Sequence, residues 1–378
     1  MDWTSFRSQF PALEDRAYLN TAGGGVMSYR VARAGQQYYQ EALEKGDTAW
    51  DEWLERAELA RNDVALFVGA AAHQIAFLQN ASLGLNIVAR SLGPLDSRGE
   101  SARVLAIDKE FPSCTTPFIR AGWEVKFMPT DSTGYVDADM LLQNLDPRPR
   151  AFVLSSVQYA NGFRSDIREL GRICRKNDVL FIVDATQSIG AFPINLEDDY
   201  VDALIFSGYK WATAGYGVAV LATGFNWPEG DPPLVGWRSA RNAYALENNR
   251  LDLLPTGIGH EMGHPAFPGI FSMGEALRSL SEVGVENVKS RILSLMQSIR
   301  SGLQEMDVPI RSHYSEDYGS GILLIDVQDA AGVCTTLREQ SVWTTARDGG
   351  LRVSAHGYNS VGDIERFLTE LGIILRSN

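Results

Sequence analysis

Between about residue 100 and residue 222, short apolar runs recur along the chain: RVLAID, EVKFMPT, AFVLSSV, VLFIVDA, ALIFSG and GVAVLAT. Amphipathic segments separate them, which predicts a largely parallel sheet covered by helices. The segment from Asp166 to Lys176 (DIRELGRICRK) places Ile167, Leu170 and Ile173 at helical spacing and ends in basic residues, as a crossover helix does. From Trp227 to Pro268 the chain turns to Gly, Pro, Asn and His with little periodicity, predicting an extended loop region. Beyond it the pattern predicts one long amphipathic helix (about Met273 to Met306), a strand in GILLIDV, another from Leu351 to Ser354, and a final helix (about Val361 to Leu375). The expected fold class is α/β, with a large domain over residues 16–258 and a smaller α+β domain from residues 1–15 and 259–378.

Length and charge narrow the partners. The 378 residues, 45% hydrophobic and 21% charged, exceed a typical single compact domain and suit a globular protein of two. Lys and Arg total 34 against 47 acids, giving 34 − 47 = −13, a charge that repels phosphate backbones and anionic membranes. Neither nucleic acid nor membrane is therefore an expected partner. The amino terminus MDWTSFRSQF carries an acid and no apolar core segment, so a cytoplasmic location is expected. Cys114, Cys174 and Cys334 lie far apart without C-x-x-C spacing and read as free thiols.

In an open α/β sheet, ligands bind beyond the carboxyl ends of strands, so polar residues directly after apolar runs are the candidates for chemistry. In FIVDATQSIG, Asp184 ends such a run and Gln187 follows. Alone, Asp184 reads first as a cap for the next segment through backbone amides. In IFSGYKW, Lys210 follows an apolar run, with Ser207 before it and Trp211 after it. A lone lysine is ordinarily solvated, but desolvation at a strand end lowers an amine's pKa and makes it an imine-forming nucleophile. The two together are more specific, because a pyridoxal enzyme needs a lysine for the aldehyde and an acid opposite the pyridine nitrogen.

The segments YLNTAGGG, NASLGLN, EFPS, SSVQYANG, VDATQSIGAFPI, VDALIFSGYKW, EMGHPAFPG and GGLRVSAHGYN run in that order from about Tyr18 to Asn359. They resemble the class V aminotransferase family of fold-type I pyridoxal phosphate enzymes, which includes cysteine desulfurases, selenocysteine lyases, kynureninase and isopenicillin N epimerase. The resemblance implies a seven-stranded, mostly parallel sheet with a smaller C-terminal α+β domain. It also implies pyridoxal 5′-phosphate as cofactor, a small amino acid as substrate and a homodimer. Lys210 would be the Schiff-base lysine and shuttle the α-proton; Asp184 would pair with the pyridinium nitrogen, and Gln187 would lie near the ring's phenolic oxygen. Ala81 and Ser82 fall where the family binds phosphate at a helix amino terminus, a placement the helix dipole favours. Ser207 would add a hydroxyl, and Tyr209 stands where many desulfurases use a histidine. Phe111 falls near the position that stacks on the cofactor ring, and Tyr159 falls beside the ring oxygen. Arg352 corresponds to the arginine that grips the substrate α-carboxylate, and Asn20 falls on the same substrate side. Phe111 and Tyr159 read equally well as core aromatics; for Arg352 a surface or interface salt bridge is the lesser alternative.

Residues 260 to 264, HEMGH, formally match a zinc-protease signature that works only on a helix. Gly259, Gly263 and Pro265 argue against a helix there and no third ligand is evident, so no metal is expected. The resemblance instead places His264 where a motif from the neighbouring subunit reaches the phosphate. The chain departs from the desulfurases in the loop before Arg352: SVWTTARDGGLRVS carries no nucleophilic cysteine, and Cys334 lies earlier, in a helical pattern. Arg347 in that loop, with Arg238 in VGWRSARN, would recognise a second anionic substrate group unless both are solvated loop residues. The expected activity is aminotransferase or carbon–sulfur lyase chemistry. The alternatives are a desulfurase-like, epimerase or kynureninase-like reaction, a catalytically silent relative, or a zinc hydrolase built on HEMGH.

Overall fold

The structure, a computed structural model, describes all residues except 96–98, 100, 132, 147–148, 229, 256, 314 and 378, and residue 377 only in its backbone. The chain begins with helix α1 (Trp3–Arg7), capped by the Asp2 carboxylate, and a short strand β1 (Ala17–Tyr18). Then come helices α2 (Tyr29–Lys45) and α3 (Trp50–Val68), strand β2 (Ile75–Leu78) and helix α4 (Ala81–Ser91). The alternating section follows as β3 (Arg103–Ile107), α5 (Pro112–Ala121), β4 (Glu124–Met128), α6 (Ala138–Gln143), β5 (Ala151–Ser155), α7 (Ile167–Lys176), β6 (Leu180–Asp184), β7 (Ala203–Ser207) and β8 (Ala219–Thr223). The C-terminal section holds α8 (Phe267–Val283), α9 (Val285–Glu305), β9 (Ile322–Ile325), α10 (Ala330–Glu339), β10 (Val342–Trp343), β11 (Thr345–Arg347), β12 (Gly350–Ser354) and α11 (Val361–Ser377).

All six apolar runs are strands β3 to β8 of one seven-stranded sheet, ordered β2-β8-β7-β6-β5-β3-β4. The strands from β4 through β7 in that order pair in parallel, and β8 is antiparallel to both its neighbours. The predicted crossover is α7, whose amino end is capped by Asp166 accepting from the Glu169 amide at 3.0 Å. The seventh strand, β2, has the sequence IAFL, all of it buried, although it lies at the sheet edge. A buried ion pair serves that edge: Arg61 Nη1 donates to the Ile75 carbonyl at 2.9 Å, and Glu261 Oε1 accepts from the Phe77 amide at 2.8 Å. The two side chains join each other at 2.5 Å and so satisfy backbone groups that a further strand would otherwise pair.

The single long helix expected from Met273 to Met306 is two helices, α8 and α9, and the first begins at Phe267, inside the expected loop region. Gly284 breaks them apart with φ +84, a conformation an L side chain resists, while the apolar periodicity continues across the break. Helix α8 packs across α2 and α3; a Cβ on Gly274 would lie 2.6 Å from the Ala60 Cβ, so only glycine permits that approach. A second, antiparallel sheet runs β11-β12-β9 beneath α10, and α11 packs against α10, β1 and β10. Strand β1 pairs in parallel with β10, and Asn20 bridges to Ser354, which threads the amino-terminal segment into this C-terminal layer.

Candidate active site

Strands β5, β6 and β7 end side by side, with Ser155 in register with Asp184. Asp184 is buried; its Oδ1 accepts from the Thr186 amide at 2.8 Å, and the Cys114 thiol donates to Oδ2 at 3.7 Å. Thr186 Oγ accepts from the Ser207 amide at 3.1 Å, which ties the ends of β6 and β7 together. Lys210 follows β7 by three residues, is 8% exposed, and holds its Nζ 5.8 Å from the Phe111 ring centre and 5.5 Å from that of Tyr209. Burial pushes its amine down to about 8; the Asp184 charge opposes this, and Arg352 and Arg347 reinforce it. A buried amine that sheds its proton near neutral pH is a nucleophile and a base.

On one flank two helix amino termini converge. Asn80 caps α4 by accepting from the Leu83 amide at 2.9 Å, the Ala81 amide donates to Ser207 Oγ at 3.0 Å, and the Ser82 hydroxyl lies 2.8 Å from that of Ser113 at the start of α5. The positive ends of both helix dipoles suit an anionic group there. Tyr209 stacks on Tyr216 at 4.4 Å, and burial, then the neighbouring Tyr216, raises its phenol so that it stays a donor. Gln187 is already engaged: its Oε1 accepts from Trp211 Nε1 at 2.8 Å and its Nε2 donates to the Ala22 carbonyl at 3.1 Å.

On the other flank, β12 carries Arg352, 2% exposed, whose Nη1 donates to the Tyr159 carbonyl at 2.7 Å and whose Nε has no partner. Burial, then the nearby Arg347, lowers it to about 10. Thr345 stands opposite Arg352 across the β11–β12 ladder and donates to Asn20 Oδ1 at 2.6 Å. Arg347 holds its guanidinium 5.9 Å from the Tyr159 ring, which meets Phe111 edge-on at 5.2 Å. Asn20, Phe111, Tyr159, Arg347 and Arg352 thus share one wall of the site.

Arg238 and His264 lie outside this cluster. Arg238 sits on the turn Trp237–Ser239, its guanidinium 5.9 Å from the Trp237 ring. His264 lies between Trp50 and Trp237, at 5.4 and 5.2 Å, and lines a cavity of about 310 Å³ with Gln79 and Leu83 at the start of α4. His260 closes a short turn, Gly257–His260, and burial lowers it to about 4. Its neighbour Glu261 is committed to Arg61 and the β2 edge, and among the described residues no group of three metal-ligating side chains occurs.

Several site residues escaped sequence reasoning. Glu110 is half-buried and accepts from the amides of Ser155 and Phe111, both at 2.8 Å, from Gln158 Nε2 at 3.3 Å and from the Ser155 hydroxyl. Burial raises its carboxyl, and the hydrogen bonds from Ser155 and Phe111 oppose the rise. Cys114 packs between Ser155 and Asp184, and burial, then the Glu110 and Asp184 charges, pushes its thiol up. Glu110 stands immediately before Phe111 in EFPS, which was the available signal; Ser155 and Cys114 offered none.

A strand-end lysine of lowered proton affinity, a buried carboxylate on the neighbouring strand, two helix amino termini and an unpaired guanidinium define a site fitted to pyridoxal 5′-phosphate and an amino acid. Residues 17–367 match the model of the class-V aminotransferase family, and the chain belongs to that family. It is accordingly a pyridoxal phosphate enzyme of the aminotransferase or carbon–sulfur lyase kind. Among curated proteins it is similar to a probable cysteine desulfurase of Pyrococcus abyssi, 23% identical with 98% of this chain and 97% of the relative covered. Its fold matches an apo cysteine desulfurase from Thermococcus onnurineus with TM-score 0.89 at 22% identity, covering 99% of this chain and 98% of the other. It also matches a cystine C–S lyase in complex with its product cysteine persulfide, with TM-score 0.85 at 22% identity over 96% and 99% of the two chains.

Proposed function

We propose that the chain is a cytoplasmic, homodimeric pyridoxal phosphate enzyme that carries out transamination or carbon–sulfur cleavage on a small amino acid without a cysteine nucleophile. The observation that supports this most is the buried Lys210, its amine lowered to about 8 beside Asp184 and Phe111. In this reading Lys210 holds the cofactor's aldehyde and moves the substrate's α-proton. Asp184 would keep the ring nitrogen protonated, Phe111 would cover the ring, and Ala81, Ser82, Ser207 and Tyr209 would hold the phosphate. Arg352 grips the α-carboxylate, with Tyr159 and Asn20 shaping the space beside it. When bound, the cofactor supplies an electron sink for the charge left at the α-carbon.

A desulfurase reaction through a protein persulfide is disfavoured by the placement of the thiols. Cys334 is buried on α10, where Thr344 donates to it at 3.4 Å, and Cys114 and Cys174 are buried as well. The homodimer is supported by exposed apolar side chains in the loop region, with Leu246 73% and Leu251 79% exposed beside Val235 and Tyr244. No helix among the described residues is long and apolar enough to cross a membrane.

The test mixes the cofactor-loaded protein with cysteine, S-substituted cysteines, alanine, aspartate and kynurenine, without a keto-acid acceptor, and follows the cofactor absorption. Stable conversion to the pyridoxamine form identifies an aminotransferase and its donor. Recovery of the band while pyruvate, alanine or sulfide accumulates identifies a lyase. A protein that never takes up the cofactor would sink the proposal.

A further inference from the structure

We propose that the substrate carries a second anionic group close to its α-carbon and that Arg347 selects for it. The inference rests on the reading of Lys210 and Arg352 given above. Because Thr345 pairs with Arg352 across the β11–β12 ladder, the two side chains share a face of the hairpin, and Arg347, two residues along β11, shares it too. Such diagonal neighbours have Cα atoms roughly 7–8 Å apart, within reach of long side chains. Both guanidiniums turn to one residue, Arg352 to the Tyr159 carbonyl at 2.7 Å and Arg347 to the Tyr159 ring at 5.9 Å.

Two arginines are fully buried among the described residues, Arg61 and Arg352, and their charges are balanced differently. The buried Arg61 is matched by Glu261 and Glu58. Among the described residues no carboxylate forms an ion pair with Arg347 or Arg352, and the Arg352 Nε is buried without a partner. Asp348, next in the hairpin, acts on Arg352 only as a neighbouring charge, while Arg347 acts against it. Two cations that repel each other at the rim of the site are best relieved by a ligand with two anionic groups, since a single α-carboxylate satisfies only one of them. Exposed Arg347 lies toward solvent from the buried Arg352, so the second anion belongs on the outward end of the substrate. The short spacing of the two arginines points to an acidic amino acid whose side-chain carboxylate or sulfinate lies one or two carbons beyond the α-carbon.

The experiment titrates the holoenzyme with L-aspartate, L-cysteine sulfinate and the neutral isostere L-asparagine, reading half-saturation from the cofactor absorption. The expected result is that at least one acidic amino acid binds about tenfold or more tightly than asparagine. In Arg347→Ala the acidic amino acids lose about tenfold more affinity than asparagine does, so the preference falls to near unity, and in Arg347→Glu it reverses. The inference is overturned if neither acidic amino acid binds, if wild type binds asparagine as well as they do, or if the preference survives in Arg347→Ala. A protein that takes up no cofactor would instead overturn the reading of Lys210, and the two failures are told apart before any amino acid is added.

Discussion

Lys210 shows how a single residue's surroundings set its chemistry. Its amine is lowered from 10.5 to about 8 by burial, so in the cofactor-free protein the neutral, nucleophilic form appears as pH rises through 8 rather than through 10.5. The rate of cofactor uptake should therefore climb with pH and level off above about 8 in stopped-flow absorption, and Lys210→Ala should not form the lysine-linked band at all. A rate still rising past pH 10 would mean the amine is not desolvated. The sign carries over to stability: between about 8 and 10.5 the unfolded chain holds a proton here that the folded chain lacks, so this group makes the cofactor-free fold more stable as pH rises. The strand-end positions of Asp184 and Lys210 were legible in the sequence because one closes an apolar run and the other follows a run by three residues, and strand ends are where such a sheet binds ligands. Ser155, Cys114 and Glu110 were not. They meet Asp184 only through the pairing of β5 with β6 and the docking of α5, and cross-strand register leaves no trace in a one-dimensional pattern.

At the scale of elements, the six runs that became β3 to β8 were readable because strands buried on both faces are continuously apolar. Strand β2 was not, since four apolar residues fit a helix or a strand equally, and the partners of its edge, Arg61 and Glu261, lie 200 positions apart. The division of α8 from α9 was missed for a different reason. Val283 and Val288 keep the periodicity going, and only the backbone at Gly284 interrupts it. This yields a prediction whose sign discriminates. In one continuous helix, Gly284→Ala would stabilise by about 1 kcal/mol. At φ +84 the added Cβ should instead destabilise by about 1–2 kcal/mol, measured by denaturant unfolding.

At the scale of the whole molecule, the net charge of −13 contrasts with the gathering of Lys210, Arg347 and Arg352 at one site, an arrangement that draws small anionic substrates inward. In the loop region that carries Leu246, Leu251, Arg238 and His264, His264 shares a cavity with Gln79 and Leu83 of its own chain, and the exposed apolar residues suit burial against a second copy. In the proposed dimer, His264 serves the phosphate of the partner's site, and complementation tests this without a structure of the complex. Lys210→Ala has no lysine for the cofactor, and His264→Ala should retain the cofactor weakly, each as a homodimer. In a mixed dimer with His264 acting across the interface, the intact Lys210 of one chain meets the intact His264 of the other, so one wild-type site forms. Co-expressed, differently tagged variants purified through both tags should then hold cofactor at one site per dimer with wild-type resistance to dialysis. If His264 acted within its own chain, every Lys210-bearing site would lack its histidine, and the mixed dimer would lose cofactor as fast as the His264→Ala homodimer.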